Sequence, residues 1–492
     1  MATIETPTLR THPSVPALQR DAMRDKFPYP AKPDTQTALG YPAKLIDNWQ
    51  TVAIAKMGEL VSHNKALKVY LDACVKCGAC TDKCHYFIGT ADPKNMPVAR
   101  QDLFRQVYRR YYTWTGRFFP KLVGAKDLTP AILDDWYNYF HQCSQCRRCA
   151  VFCPYGIDTA EISMAAREIL DHIGKGQKYC NEIVHKVHKV GNNLGLPAPA
   201  LRHTLESLEE DILQETGVAV RLPLDEIGAE VLFITPSADF FAEPHVDGLI
   251  GYAKVFHQAG ISWTLSTHAS EAANFGLFIG SQEHLQKIAL RIRDAAHDLK
   301  AKRIVFGECG HAWRVAYNFL KSLVGEFEFL DARYPIPQHI CEVTHDLLQR
   351  GALHIDKTAN DARVLTFHDS CNIARASRMG HTSGGQFSIP REIIRAVANH
   401  FYEMPAKTRH EKTFCCGGGG GLLTDELLEL RVKGALPRME ALQAVTQAHN
   451  VTHLVTICAI CKTQFSKVLP YYGFNMNQVM SLHHLVGDAL IL

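Results

Sequence analysis

Three features that would each place the chain in a class are missing. No apolar run is long enough to cross a bilayer, so no membrane-spanning segment is expected. Behind Met1 the sequence turns polar and proline-rich with no apolar stretch, so no secretory leader is expected. Charge of one sign is not in excess: 53 Lys+Arg stand against 50 Asp+Glu, and a net +3 argues against nucleic acid as the main partner. At 492 residues, 46% hydrophobic and 21% charged, the balance is globular, with length for about two to four domains. What is abundant is cysteine. Sixteen, grouped at short spacings, read as metal-cluster ligands in a reducing compartment and not as a disulfide framework.

Eight of them form two quartets, Cys74, Cys77, Cys80, Cys84 and Cys143, Cys146, Cys149, Cys153, each spaced Cys-x2-Cys-x2-Cys-x3-Cys. In this bacterial-ferredoxin spacing, three cysteines wrap one cubane and the fourth reaches the other cluster. Cys74, Cys77, Cys80 and Cys153 are thus assigned to one [4Fe-4S] centre, and Cys143, Cys146, Cys149 and Cys84 to a second. Zinc ribbons use two pairs of ligands and not two quartets, which disfavours zinc. Pro154 follows the second quartet as expected, whereas His85 replaces the proline after the first.

A third group lies near the C-terminus. Cys415-Cys416 is followed by five glycines, Gly417 to Gly421, a run that costs much backbone entropy to order. Residues 411–414 read as a short strand and Leu422 onward as a helix, which would aim unpaired helix-start N–H groups at whatever the cysteines hold. Cys371, and the pair Cys458 and Cys461, each follow a β-branched run (363–367 and 452–457), so all are expected at strand ends, which converge on one crevice in a parallel α/β sheet. Five thiols exceed the four ligands of a zinc ion or a cubane.

The remainder of the chain supplies the frame. Residues 1–44 carry seven prolines and read either as a disordered tail or as an extended arm anchored by Phe27, Tyr29 and Tyr41. A helical lead-in follows from Leu45 to Leu71. Between the quartets, a helix over Pro97–Tyr112 places Phe104, Tyr108 and Tyr111/Tyr112 on one side, and Arg100, Arg105, Arg109, Arg110, Arg117, Lys121 and Lys126 face only Asp102. That region reads as a docking surface for a membrane subunit or lipid headgroups, or equally as a solvated helix over an aromatic core. Another helix should start at Thr129-Pro130. Further helices are expected at 159–172, 177–189 and 201–215. From Glu230, short β-branched runs (231–234, 261–263, 303–306, 363–367, 411–414, 452–457) alternate with helices, predicting parallel sheets in two halves. The first half reads as a worn copy of the second, with 306–309 standing where 458–461 stands. Cys309 and His311 are second-shell or substrate-facing candidates there, as is His368 in the second half, and Cys180 and Cys341 read as buried core thiols.

The pattern Cys371, Cys415-Cys416-Gly417, Cys458/Cys461 resembles the cysteine-rich CCG domain of heterodisulfide reductases. With the ferredoxin module, the chain from about Leu45 to Leu492 resembles the D-type subunits of heterodisulfide reductases. Its long arm, long insertion and single intact CCG motif more closely resemble the DsrK family, the K-type subunits of the membrane complex linked to dissimilatory sulfite reductase. The resemblance implies an α + α/β architecture. Residues 1–44 are the arm or tail; 45–228 form an all-α ferredoxin domain with two cubane [4Fe-4S] clusters; 229–354 form a degenerate Rossmann-like half; and 355–492 form the CCG half. It also implies that Cys371, Cys415, Cys416, Cys458 and Cys461 hold a catalytic noncubane [4Fe-4S] cluster. The implied activity is reduction, or in reverse formation, of a disulfide or trisulfide on a small DsrC-like sulfur carrier. The implied partners are a haem b membrane subunit exchanging with quinone and other subunits of a membrane complex, with the chain cytoplasmic and peripheral to the inner membrane. Two rivals stand beside it: an electron-relay subunit of a flavin-dependent glycolate, lactate or glycerol-3-phosphate dehydrogenase, and an electron wire with a structural zinc in the CCG half.

Overall fold

The computed structural model describes residues 27–271 and 274–492 and divides into two compact units. The first comprises the chain up to His185 together with Leu277–Ser281 and Phe414–Met439. The second comprises Lys186–Gly276, Gln282–Thr413 and Glu440–Leu492. The vicinal cysteines therefore belong to the first unit, with the quartets, although they lie late in the chain.

The first unit is helical. Trp49–His63 and Lys65–Ala73 form the lead-in, followed by Pro97–Tyr112, Pro130–His141, Thr159–His172 and Lys178–Val190. Thr129 caps the helix at Pro130 by accepting from the Ile132 N–H, as its position before proline predicted. The core is aromatic: Phe104 stacks on Trp136 at 5.1 Å, and Phe140 meets both edge-on. This corrects the docking-surface reading of the Pro97–Tyr112 helix. Phe104 and Tyr108 are buried, and so are Arg100 and Arg105, the latter donating to the Cys74 carbonyl. The N-terminal segment is fastened from residue 28 onward: Pro28 accepts from the Tyr137 hydroxyl, and Ala31 N–H donates to Gly176 O. The buried residues there are Thr35, Gln36 and Leu39, while the expected anchor Tyr29 is exposed. Pro7, Pro13 and Pro16 lie outside the described residues.

The second unit contains two small sheets, all parallel. Strands β1 (Val231–Ile234), β2 (Trp263–Thr264), β3 (Arg303–Phe306) and β4 (Gln338–His339) run in the order β2-β1-β3-β4. Strands β5 (Leu365–His368), β6 (His453–Thr456) and β7 (Val479–Ser481) run β5-β6-β7. Most of these strands are buried throughout, as parallel strands covered on both faces must be, which is why they read as continuous apolar runs. Helices Val246–Gln258 and Leu482–Ala489, one from each half, cross where a Cβ on Gly251 would meet the His483 carbonyl at 1.8 Å, so only glycine permits the approach.

Two local expectations are overturned. Residues 411–414 are not a strand: His410–Lys412 is a 3-10 turn, and no neighbouring strand offers the segment a ladder. The glycine run also does not open directly into a helix. A 3-10 turn, Asp425–Leu427, intervenes before the helix Leu428–His449, so helix-start N–H groups are not aimed from Leu422.

Candidate iron–sulfur centres

The two Cys-x2-Cys-x2-Cys loops repeat one backbone device. In the first, Lys76 and Gly78 take φ of 57° and 79°; in the second, Gln145 and Arg147 take 56° and 61°. These are the residues on either side of each middle cysteine. A left-handed non-glycine residue costs about 1–2 kcal/mol, so three of them at matching positions mark turns built to wrap something. Each quartet lines a pocket. Cys74, Cys77, Cys80 and Cys153 line one of about 380 Å3, which Cys149 also borders, and Cys84, Cys143, Cys146 and Cys149 line another of about 350 Å3. The fourth cysteine of each quartet faces the other pocket, and the near-equal volumes suit occupants of one kind. Among the described residues no three His, Cys, Asp or Glu side chains are set to share a single metal ion.

The charge environment also suits bound clusters. Burial pushes the Cys80 thiol up to about 11, so a thiolate there needs a cation such as iron beside it. Next to the second pocket lies Arg100, buried and donating to Tyr139 O at 2.8 Å and Asn95 Oδ1 at 2.6 Å. Burial works against its charge, but the Cys143 and Cys84 sulfurs outweigh it, and its pKa is raised. Cys77 is exposed whereas Cys84 and Cys143 are buried, so the first pocket is the outer one.

Residues after Cys84 connect the second pocket to the vicinal cysteines. His85 bonds Gly434 O and Ser144 Oγ, each at 2.7 Å, and the Tyr86 hydroxyl donates to Gly417 O at 2.5 Å. Burial disfavours a charged His85 ring, yet hydrogen bonding and charge from Cys415 raise its pKa overall. The histidine that replaces the customary proline thus holds the Cys415 segment. The glycines explain themselves by contact: a Cβ on Gly420 would lie 2.7 Å from Cys143 O, and one on Gly421 2.3 Å from Cys180 Sγ. Cys180 is a buried thiol, pushed up to about 12 by that burial. Arg167, fully buried, ties these pieces with one guanidinium that donates to Phe140 O, Cys143 O, Phe278 O and Gly420 O at 2.7–3.1 Å.

In the second unit, Cys309, Cys371, Cys458 and Cys461 gather at strand ends. Cys458 caps the helix Ala459–Val468 after β6, and Cys309 caps Gly310–Asn318 after β3 in nearly the same conformation (φ −148°, ψ 120° against φ −140°, ψ 111°). The register expected from sequence is corrected accordingly: Cys309 matches Cys458, and Ala312 stands where Cys461 would. Hydrogen bonds from Cys309, and next from Cys461, hold Cys458 well below the usual thiol range and leave the Cys309 proton firmly bound. His311 Nδ1 lies 4.0 Å from Cys458 Sγ, and its Nε2 lies 2.9 Å from Asn372, which in turn reaches Cys371 Sγ at 3.5 Å. His368 is buried in β5 with its ring edge-on to Phe465 at 4.9 Å. Cys341 is buried in the helix Ile340–Gln349.

Several contributors went unseen in the sequence. Lys462 is fully buried, 3.7 Å from Asp239 and 3.6 Å from Glu308, whose carboxylate also bonds His483 and Ser481. Burial would raise Glu308, but Lys462, His483 and Ser481 hold it at about 2. The one available signal was position, since Lys462 follows Cys461 and Glu308 precedes Cys309. Asp369 pairs bidentately with Arg391 and accepts from His410 N–H, while Arg375 donates to Glu411 O and Thr413 O. These side chains fix 410–413 where strand pairing was expected.

The pockets, loops and strand-end thiols together define an iron–sulfur protein with a two-cluster ferredoxin module and a separate cysteine-rich site. Two family matches agree: the 4Fe-4S dicluster domain over residues 70–157 and the cysteine-rich (CCG) domain over residues 365–466. Among relatives, the chain is 38% identical over 479 residues to the Hdr-like menaquinol oxidoreductase iron-sulfur subunit 2 of Archaeoglobus fulgidus, covering 91% of this chain and 85% of that protein. It is likewise 38% identical over 480 residues to the corresponding iron-sulfur subunit of Archaeoglobus profundus, covering 91% and 84%. It is 24% identical over 416 residues to the D-type subunit of the dihydromethanophenazine:CoB–CoM heterodisulfide reductase of Methanosarcina barkeri, covering 80% and 88%. The chain belongs to the family of iron–sulfur subunits of heterodisulfide reductase-like (Hdr-like) menaquinol oxidoreductases.

Proposed function

We propose that this chain is the catalytic subunit of a DsrK-like, membrane-associated complex that reduces a disulfide or trisulfide on a small DsrC-like sulfur carrier, or forms it in reverse. The observation that carries the reading is that Cys371, Cys415, Cys416, Cys458 and Cys461 all fall within the single CCG match over residues 365–466. Two cubanes on the quartets Cys74, Cys77, Cys80, Cys153 and Cys143, Cys146, Cys149, Cys84 and one noncubane cluster on those five cysteines are the cofactors of this scheme. When bound, they supply single-electron transfer and, at the third, iron able to bind sulfur. The reaction balances as R–S–S–R′ plus two electrons and two protons giving RSH and R′SH. A quinol, oxidised through a haem-bearing partner subunit, supplies the electrons, and the chain is peripheral to the cytoplasmic membrane.

The chain's own residues serve this reaction in definite ways. His311, set between Asn372 and Cys458, is placed to hold a proton near the reacting sulfurs through Nδ1. Lys462 offsets negative charge collected by buried thiolates, and Glu308 with Asp239 keeps that ammonium in place. His85 and Tyr86 join the second cubane pocket to the Cys415 segment, the route electrons would follow.

Metal analysis combined with electron paramagnetic resonance tests the proposal. The anaerobically purified chain should carry about twelve iron atoms, and the oxidised protein should give a new paramagnetic signal with a thiol substrate. About eight iron atoms with one zinc, and no thiol-dependent signal, would overturn it in favour of the electron wire.

A further inference from the structure

Between the helices Pro97–Tyr112 and Pro130–His141 the chain forms two short helical turns, Trp114–Phe118 and Pro120–Val123. Four large apolar side chains stand outward there: Trp114 at 67% exposure, Phe118 at 65%, Phe119 at 51% and Leu122 at 84%. They form one cluster, with the Trp114 ring 5.6 Å from Phe118 and 5.8 Å from Phe119. Their exposure is built in and not slack. A Cβ on Gly116 would meet Arg109 O at 1.9 Å, so the turn lies flat on the helix behind it; Arg117 donates twice to Tyr111 O, and Arg109 donates to Val123 O. The scaffold leaves these side chains no way to fold under.

The surrounding charge is of one sign. Residues 103–126 contain six Arg and Lys (Arg105, Arg109, Arg110, Arg117, Lys121, Lys126) and no Asp or Glu. Arg105 is buried, but Arg117, Lys121 and Lys126 are exposed. Exposed Trp, Phe and Leu ringed by cations are the composition of segments that lie in the headgroup region of an anionic bilayer. A protein-binding patch of this size needs no uniform positive rim. Lys76, from the outer cubane loop, lines both that loop's pocket and a surface pocket beside Lys121 and Leu122.

We infer that Trp114, Phe118, Phe119 and Leu122, with Arg117, Lys121 and Lys126, form a foot that seats the chain directly on an anionic lipid surface, next to the Cys74–Cys77–Cys80 loop. This rests on the electron-transfer reading above only in giving the seat a purpose: it turns the outer cubane toward the side from which quinol electrons arrive.

The full chain should cosediment with vesicles of equal phosphatidylglycerol and phosphatidylcholine, and far less with phosphatidylcholine alone. Trp114 emission should shift to the blue on binding and be quenched by brominated acyl chains, a change missing in Trp114→Phe. The double variant Phe118→Ser, Leu122→Ser should weaken partition by about tenfold or more while iron content and circular dichroism stay unchanged. The inference is overturned if the wild-type chain ignores phosphatidylglycerol vesicles, or if the double variant binds them equally. It is also overturned if the variant loses only its association with a membrane protein, which would make that protein the occupant. Iron stoichiometry decides the disulfide-reductase reading independently of vesicle binding.

Discussion

Replacing Arg167 by methionine is the most informative perturbation in the first unit. Its guanidinium is buried and supplies donors to four strongly bonded carbonyls drawn from three stretches of chain, at Phe140, Cys143, Phe278 and Gly420. Methionine fills the space but donates nothing. A buried carbonyl stripped of its donor costs about 1–3 kcal/mol, so four at the low end give about 4 kcal/mol, a large part of the 5–15 kcal/mol typical of a domain. For a unit of this size, each kcal/mol shifts the melting temperature by about 2–4 °C, so a drop of about 8–16 °C is expected. Bleaching of cluster absorbance on heating reads this directly. Arg167→Lys should fall between the two, because an ammonium cannot reproduce the planar fork. Arg167→Met bleaching within about 2 °C of wild type, with full iron, would refute the idea that this residue holds the cubane loop to the glycine run.

Three other outcomes are expected. Gly421→Ala should lower thermal stability, and Cys180→Ala should recover part of the loss, since the new methyl would strike Cys180 Sγ; recovery stays partial because φ is +85°. Asp171, bonded by Asn181 at 2.6 Å, has its pKa raised to about 7 by burial, so the folded unit binds its proton more tightly than the unfolded chain. Stability should therefore fall as pH rises from about 4 to 7, by a few kcal/mol at most, then level off, and Asp171→Asn should flatten that slope in thermal scans taken across pH. Cys458→Ser should lose about a third of the iron, whereas Cys309→Ser should keep it and alter only the thiol-dependent resonance signal; iron loss in Cys309→Ser would make that residue a ligand.

Much of the architecture was legible because helix periodicity and caps are local. The helices Pro97–Tyr112 and Thr159–His172 have the bounds their patterns indicated, and β1 and β3 lie on their apolar runs. Strands β4 and β7, of two and three residues, were too short to register. Periodicity showed that Phe104 and Tyr108 share a face but not that Trp136 and Phe140 cover it. Counting cations likewise could not separate buried Arg100 from exposed Lys121, and the apolar surface that is open lies just past the helix, at Trp114 to Leu122. Cysteine spacing announced the chemistry, while the residues that place it, Arg167, Asp369 and Lys462, make contacts too far along the chain for any local pattern to show.

Because Phe414–Met439 completes the first unit, that unit cannot finish assembling in the order it is synthesised. Arg167 waits for Gly420, 253 residues later, and Tyr86 waits for Gly417, 331 residues later. At about 5–20 residues per second, the interval on the ribosome is roughly 13–65 s. Throughout it the quartet loops stand without their late-arriving wall, which leaves a long opening for iron and sulfide delivery before the chain closes over the inner pocket.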